Sequence, residues 1–374
     1  MKVDKTKWGK KTLGEVCHLY QPQTIATNCL QPTGKYLVYG ANGVIGRYNT
    51  YNHESPEVLI TCRGATCGTI NISKPFSWIN GNAMVVHPKE ENVFDFTFLG
   101  RVVSAIDYSK VITGAAQPQI TVTNLRKTLI SIPPICDQKI IVAELDSIQT
   151  MINGYKAQLT DLDALAQSIF LDTFGDVAIN NKSWDIIPMG QLGDLKNGLN
   201  YNKGEKGKTL KIIGVGDFQN LKTLTSFDNI PSIEVERISQ EYLLQNEDIV
   251  FVRSNGNKNL VGRCLEVYPN KEEVTFSGFC IRFRKSTDIV NKYLVALLTD
   301  TGFKKTHILK SNGIGIQNIN QKLLGNLPIP VPPIDLQKRF AMQVKTIERQ
   351  KELIRQQLAD AEQLMAERMQ YYFS

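Results

Sequence analysis

The feature that most limits how this chain can fold is that it repeats itself. Trp8 is followed by Leu13-Gly14-Glu15, and Trp184 by Leu192-Gly193-Asp194. Further on, Ile132-Pro133-Pro134-Ile135-Cys136-Asp137-Gln138-Lys139 matches Val331-Pro332-Pro333-Ile334-Asp335-Leu336-Gln337-Lys338. The tryptophans lie 176 residues apart and the Pro-Pro pairs 199. The second copy is therefore longer by about 23 residues, and the polar stretch 204–239 is where the excess is expected. Three weaker matches keep the same order. Leu59-Ile60-Thr61-Cys62-Arg63-Gly64 parallels Ile249-Val250-Phe251-Val252-Arg253-Ser254, and Phe76-Ser77-Trp78 parallels Phe276-Ser277-Gly278. Gln119-Ile120-Thr121 before Leu125 parallels Gln317-Asn318-Ile319-Asn320 before Leu323. A period of about half the chain implies two copies of one structural plan.

Each copy has two parts. The first holds short β-branched and aromatic runs punctuated by glycine, such as Val58-Leu59-Ile60-Thr61 and Asp248-Ile249-Val250-Phe251-Val252, which read as strands. Helical stretches near 94–108 and 288–307 make the fold class α+β. The second part is a helix, since tandem prolines end the β domain and cannot lie inside the helix that follows. This divides the chain into a first domain at 1–135, a central spacer helix at 136–175, a second domain at 176–334 and a C-terminal spacer helix at 335–374.

The two helices share one hydrophobic register. Apolar residues recur at Ile141, Leu145, Ile148, Ile152, Tyr155, Leu159, Leu162, Ala166 and Ile169, a 4-3 spacing that forms a coiled-coil seam. Shifting by 199 gives Phe340, Val344, Ile347, Lys351, Ile354, Leu358, Ala361, Met365 and Arg368, the same seam with two polar members. Gly154 costs about 1 kcal/mol of helix propensity, which seam burial outweighs. Either helix alone would expose its seam, so the economical arrangement is an antiparallel pair. About 35 residues of helix span roughly 50 Å, the dimension of a ruler.

Charge follows the same division. The net charge of +7 comes from +6 over 1–135 and +4 over 176–334, against −4 over 136–175 and +1 over 335–374. Two basic segments suit a polyanion, although a mildly basic soluble protein reads the same way. Seven cysteines without framework spacing fit a reducing cytoplasm. No apolar run is long enough to span a membrane, and the first residues do not read as a signal peptide.

Active-site patterns are lacking. The Pro-Pro pairs are flanked by aliphatic residues, unlike an amino-methyltransferase motif, and Gly214-Val215-Gly216 reads as a turn rather than a dinucleotide or phosphate loop. Cys62 and Cys67 have no second pair to complete a zinc site, and His18, His53, His87 and His307 are scattered. No catalytic or metal-binding residue is nominated.

The repeated tandem of β-rich domain and long helix resembles the specificity (S) subunit family of type I restriction-modification systems. The stretches 125–138 and 323–337 look like its domain-to-helix junction. Leu162-Asp163-Ala164-Leu165-Ala166-Gln167-Ser168-Ile169-Phe170, running into Phe174-Gly175-Asp176, resembles the end of its central helix. Tyr39-Gly40-Ala41-Asn42-Gly43-Val44-Ile45-Gly46 and Arg63-Gly64-Ala65-Thr66-Cys67-Gly68 resemble loops of its recognition domains. The resemblance implies a non-catalytic subunit that reads split double-stranded DNA, one domain per half-site, with the helix pair as ruler and docking platform. It further implies two modification (methyltransferase) subunits as partners, with two restriction subunits able to join. S-adenosylmethionine then belongs to the modification subunits, and Mg and ATP to the restriction subunits, with no cofactor on this chain. Two other readings stay open: a DNA-modifying or cleaving enzyme with an unrecognised catalytic centre, and a structural repeat protein without a nucleic-acid role.

DNA contacts need donor-rich side chains on loops: Arg for guanine, Asn or Gln for adenine, Lys for phosphate. On that chemistry the candidates in the first domain are Asn42, Arg47, Arg63, Thr66, Lys110, Gln117 and Gln119. In the second they are Lys203, Lys206, Lys208, Arg253, Asn255, Asn257, Lys258, Asn259, Lys310, Asn312 and Gln317. The run from Arg253 to Asn259 is the strongest local candidate. Its competing reading is a polar turn with Gly256 at positive φ.

Overall fold

A computed structural model describes residues 3–114, 117–201, 204–218, 223–257, 260–309 and 318–374. The chain divides into two compact units, Met1–Ala157 with Arg355–Ser374, and Gln158–Ile354.

The first unit contains β1 (Gly9–Thr12), α1 (Leu13–Val16), β2 (Cys17–Tyr20), β3 (Tyr36–Gly40), β4 (Gly43–Tyr48), β5 (Val58–Thr61), β6 (Ile70–Ile72), β7 (Trp78–Ile79) and β8 (Ala83–Pro88). α2 (Phe96–Ser104), α3 (Val122–Leu125) and β9 (Leu129–Ile132) follow, and then the start of α4 (Ile135–Phe174). The second unit, after the end of α4, contains β10 (Asp185–Pro188), α5 (Met189–Leu192), β11 (Gly193–Asn197), β12 (Lys208–Ile213), β13 (Thr223–Leu224), β14 (Ser232–Val235), β15 (Asp248–Val252), β16 (Cys264–Val267), β17 (Val274–Phe276) and β18 (Cys280–Lys285). α6 (Asn291–Thr299), α7 (Thr301–Phe303), α8 (Gln321–Gly325), β19 (Pro328–Val331) and α9 (Ile334–Phe373) complete the chain.

The repeat is topological as well as sequential. Among the described residues the first unit has sheets ordered β1-β9, β2-β8-β5-β6 and β4-β3-β7. The second has β10-β19, β11-β18-β15-β16-β13 and β14-β12-β17. Even the parallel pairing recurs, as β3 with β7 and β12 with β17. The exception is β13, which lies between β12 and β14, where β3 and β4 are joined by a tight turn. The expected insertion in 204–239 is therefore found, and its strand docks parallel to β16 as an added sheet edge.

β5 and β15 are buried along their whole length, which is why their sequences are continuous apolar runs instead of alternating ones. The single acid in β15, Asp248, is 1% exposed and takes two hydrogen bonds from Arg284, at 2.8 and 2.7 Å. A buried carboxylate held in this bidentate way is satisfied.

Each Pro-Pro pair hands over directly to a long helix, and a buried glutamine secures the junction. The Gln138 amide donates to Val93 O (2.8 Å) and Pro133 O (2.9 Å), and its oxygen accepts from Asp95 N–H (2.8 Å). Gln337 donates to Pro332 O (2.7 Å) and accepts from Val290 N–H (2.9 Å). The last turn of α4 ends at Gly175, whose φ of +77° is the left-handed cap conformation that favours glycine. Lys182 and the Trp184 indole N–H bond the carbonyls of Asp172, Thr173 and Phe174. In the first unit Lys5 bonds the carbonyl of Tyr371, and Trp8 stacks on Tyr372.

The heptad seam is buried inside each unit. In the first, Ile141 and Leu145 share a core with Tyr372, while Ile148 and Ile152 pack with Leu358, Ala361 and Met365. In the second, Ile169 and Phe170 meet Phe340 and Val344. Partners on α9 fall in number as those on α4 rise, which is antiparallel pairing. Tyr155, Leu159, Leu162 and Ile354 are half-buried, as seam positions should be, and Ile347 is 4% exposed. Lys351, the polar exception, is buried and bonds Asp163 (2.9 Å) and Glu348 (3.2 Å).

Candidate nucleic-acid interface

In the first unit three loops meet beyond the end of β5. The β3–β4 turn carries Asn42, and its Ala41 carbonyl accepts from the Thr61 hydroxyl. The loop after β5 carries Arg63 and Thr66, closed by Cys67 N–H to Gly64 O (3.0 Å) and Thr69 N–H to Thr66 O (3.0 Å). The third segment carries Gln117 and Gln119. Gly64 N–H donates to Pro118 O (3.1 Å), Ile120 N–H donates to Cys62 O (3.0 Å), and Arg63 forms a bridge with Gln119. Asn42, Arg63, Thr66, Gln117 and Gln119 are all exposed, so five of the seven candidates share one loop cluster.

The other two make contacts of their own. The Arg47 guanidinium donates to Gly34 O (2.7 Å) and Lys35 O (3.4 Å) and braces that loop. Lys110 pairs with Asp107 (3.2 Å) on the wall of a cavity of about 740 Å³ beside Leu129 and Phe373.

The second unit builds the same cluster. Arg253, Asn255 and Asn257 lie on the loop after β15. Ile319 N–H donates to Arg253 O (2.8 Å), and Ser254 bridges Asn318. This pairing moves the repeat by one residue: the counterpart of Arg63 is Ser254, and that of Arg253 is Cys62. The sequence match had aligned the two arginines. In extended chain a one-residue slip reverses the faces. Arg63 is accordingly exposed, whereas Arg253 is half-buried and donates to Gly278 O (3.4 Å). Likewise Phe276 is the counterpart of Ile79, not of Phe76. Ser277 N–H donates to Ile213 O as Asn80 N–H does to Tyr39 O, while Phe76 is half-exposed at φ +52°.

Gly256 does not have the positive φ expected of it; among the described glycines near it, Gly262 does, at +74°. The Asn255 side chain accepts from Asn257 N–H (2.7 Å) and sets the loop instead. Lys206 is exposed, whereas Lys208 pairs with Glu273. Lys203, Lys258, Asn259, Lys310, Asn312 and Gln317 lie outside the described residues.

Residues that sequence reasoning missed stand in the same clusters. Phe279 is 64% exposed, and Asn82 and Asn318 are exposed amides. Phe279 is apolar and carries no donor signal in the sequence. Asn318 follows Gln317 directly and carries the same amide chemistry.

The ionisable groups around these loops are tuned by burial. Burial lifts the Cys62 thiol above its ordinary range, although Gln21 donates to its sulfur. Burial also lifts Cys280, to about 12, and lowers the His53 imidazole, which meets the Tyr20 hydroxyl at 2.9 Å. These thiols stay protonated at neutral pH and serve as packing atoms. Among the described residues no cluster of three His, Cys, Asp or Glu side chains could hold a metal ion, and no helix is long and apolar enough to cross a membrane.

The chain is thus two copies of a mixed sheet domain, each followed by a long helix and each displaying a loop cluster that carries amides and an arginine. A model of the type I restriction modification DNA specificity domain matches residues 5–161 and 181–363, and the chain belongs to that family. Among its relatives, the StySPI specificity subunit of a type I restriction enzyme from Salmonella potsdam is 23% identical over 80% of this chain and 64% of its own length. This chain thus spans less than two thirds of that relative. The MjaVIII specificity subunit from Methanocaldococcus jannaschii is 22% identical over 78% of this chain and 72% of its own. The S subunit of a type I restriction-modification system from M. genitalium superposes with a TM-score of 0.60 at 15% identity, covering 100% of this chain and 98% of that one. A chain from a structure of type I R-M system assembly gives 0.61 at 16% identity, covering 99% and 98%. The fold is shared with both.

Proposed function

We propose that this chain is the DNA-reading, non-catalytic subunit of a type I restriction-modification complex. Residues 1–135 and 176–334 act as recognition domains, one for each half of a bipartite target, and 136–175 and 335–374 act as spacers. The observation that carries the reading is the duplicated loop cluster, Arg63 with Gln119 in one copy and Ser254 with Asn318 in the other, in a chain whose family is a DNA specificity domain. The copies differ in their displayed residues, so they read unequal half-sites. Their base-reading chemistry is amide and guanidinium donors on backbone-braced loops.

The helix pair sets the number of unread base pairs between the halves and offers a docking surface for two modification subunits. Those subunits hold S-adenosylmethionine and flip the target base. Two restriction subunits, with Mg and ATP, complete the cleaving form. This chain binds neither cofactor.

DNA binding measured with and without modification subunits tests the reading. The chain alone should bind weakly and the complex tightly, with affinity falling steeply with salt. Indifference to DNA even beside the modification subunits would favour a purely structural repeat protein. Methylation or cleavage by the purified chain alone would establish the enzymatic alternative.

A further inference from the structure

One turn is built alike in both domains yet displays different side chains. Between β7 and β8 it runs through Gly81-Asn82, and between β17 and β18 through Gly278-Phe279. A Cβ on Gly81 would stand 2.5 Å from the Pro22 carbonyl oxygen, so that position admits no side chain, and one on Gly278 would displace the Asn200 side chain that packs over it. The next residue is clamped through its carbonyl. Asn82 O accepts from Cys62 N–H (3.3 Å), and Phe279 O accepts from Arg253 N–H (2.8 Å). Both turns close on themselves, Ala83 N–H to Asn80 O (2.9 Å) and Cys280 N–H to Ser277 O (2.8 Å). The backbone is thus fixed beside the strand end that leads into the Arg63 and Ser254 loops, and the displayed side chain is the variable part.

That side chain is an exposed amide in the first domain and a phenylalanine 64% exposed in the second. A lone exposed apolar residue is ordinary on a protein surface. This one stands on a turn braced by Arg253, at the start of the loop that carries Ser254 and Asn255, and belongs to no core cluster of the second unit. Phenylalanine has neither donor nor acceptor, so it cannot read a hydrogen-bonding pattern. It can read the C5-methyl of thymine, the apolar group on a major-groove edge.

We infer that this turn tip is a specificity position in each domain: Phe279 contacts a thymine methyl in the half-site of the second domain, and Asn82 reads a base of the other half through its amide. The inference rests on the DNA-reading function proposed above. The test uses the full chain with its modification subunits and duplexes in which each thymidine of the target is replaced in turn by deoxyuridine. The parent complex should lose about fourfold in affinity at one thymine of one half-site, the worth of a single buried methyl. Phe279→Ala should abolish that penalty and relax the methylated motif at that position, leaving the other half-site unchanged. Phe279→Leu should keep part of the penalty, and Asn82→Ala should relax the opposite half only. An unchanged motif with every deoxyuridine penalty intact in Phe279→Ala would overturn the inference. So would an unchanged motif coupled to weaker binding of the modification subunits, since Phe279 would then be a protein contact. If the parent complex yields no bipartite motif, it is the functional reading itself that fails.

Discussion

Replacing Gln138 by alanine should loosen the first domain from its helix. The side chain is fully buried and makes three hydrogen bonds, to Val93 O, Pro133 O and Asp95 N–H. Each buried polar group left unpaired costs about 1–3 kcal/mol, and the vacated volume adds to that, so the loss should be about 3–5 kcal/mol. That is a large share of a domain's stability of roughly 5–15 kcal/mol. Gln138→Glu should be worse at neutral pH, because a carboxylate would face two carbonyl oxygens, and should partly recover in acid, where the protonated group can donate to one. Urea unfolding at unchanged m reads the global effect. Hydrogen exchange at the Asp95 amide reads the local one and should accelerate in the alanine variant. Gln337→Ala should do the same at the Val290 amide in the second domain. A loss below about 0.5 kcal/mol with unaltered exchange at Asp95 would refute the reasoning, since buried polar groups would then be finding other partners.

Other outcomes follow from particular contacts. Lys351→Ile, which copies its repeat counterpart Ile152, should stabilise the helix pair by about 1 kcal/mol. It relieves a buried ammonium whose partners Asp163 and Glu348 are half in solvent; a lower urea midpoint would contradict this. Adding seven residues to each long helix, near Gly154 and near Leu353, preserves the seam and lengthens the pair by roughly 10 Å. The unread gap should grow by about three base pairs with both half-sites kept, as read by methylome sequencing, and an unchanged gap would sink the ruler. Burial holds the Glu57 carboxyl above its ordinary range even though His87 faces it at 3.0 Å. A raised carboxyl pKa favours the fold in acid, and that contribution is lost as pH rises through the folded value. Glu57→Gln should therefore raise the stability of the first domain at neutral pH and have little effect near pH 4, checked by thermal unfolding across pH.

The architecture was largely legible because its signals are periodic. The heptads, the Pro-Pro junctions and the glutamine three residues into each helix are short-range patterns, and they land where the structure has α4 and α9. The β domains were legible in content but not in register. The motifs around Arg63 and Arg253 look alike, yet the bridges of Arg63 to Gln119 and of Ser254 to Asn318 make Ser254 the counterpart of Arg63, because a sheet is aligned by its ladders and not by residue likeness. Phe76 and Phe276 misled in the same way: one sits on a strained, exposed turn and the other inside the core. The candidate interface was half legible. Loop donors such as Arg63 and Gln119 came together as their chemistry suggested. Arg47 also bonds two backbone carbonyls and Lys208 a carboxylate, partners that no local pattern announces. Phe279 was invisible for the opposite reason, since its role depends on where it stands and not on what it can donate.

The central claim, that two unequal domains of one chain read two halves of one DNA target, is tested most directly by methylome sequencing of a host expressing this chain with its modification subunits. The account predicts one bipartite methylated-adenine motif, with two different half-sites around a fixed unread gap, that disappears when this chain is deleted. A continuous or palindromic motif, or a bipartite one that survives the deletion, would contradict it.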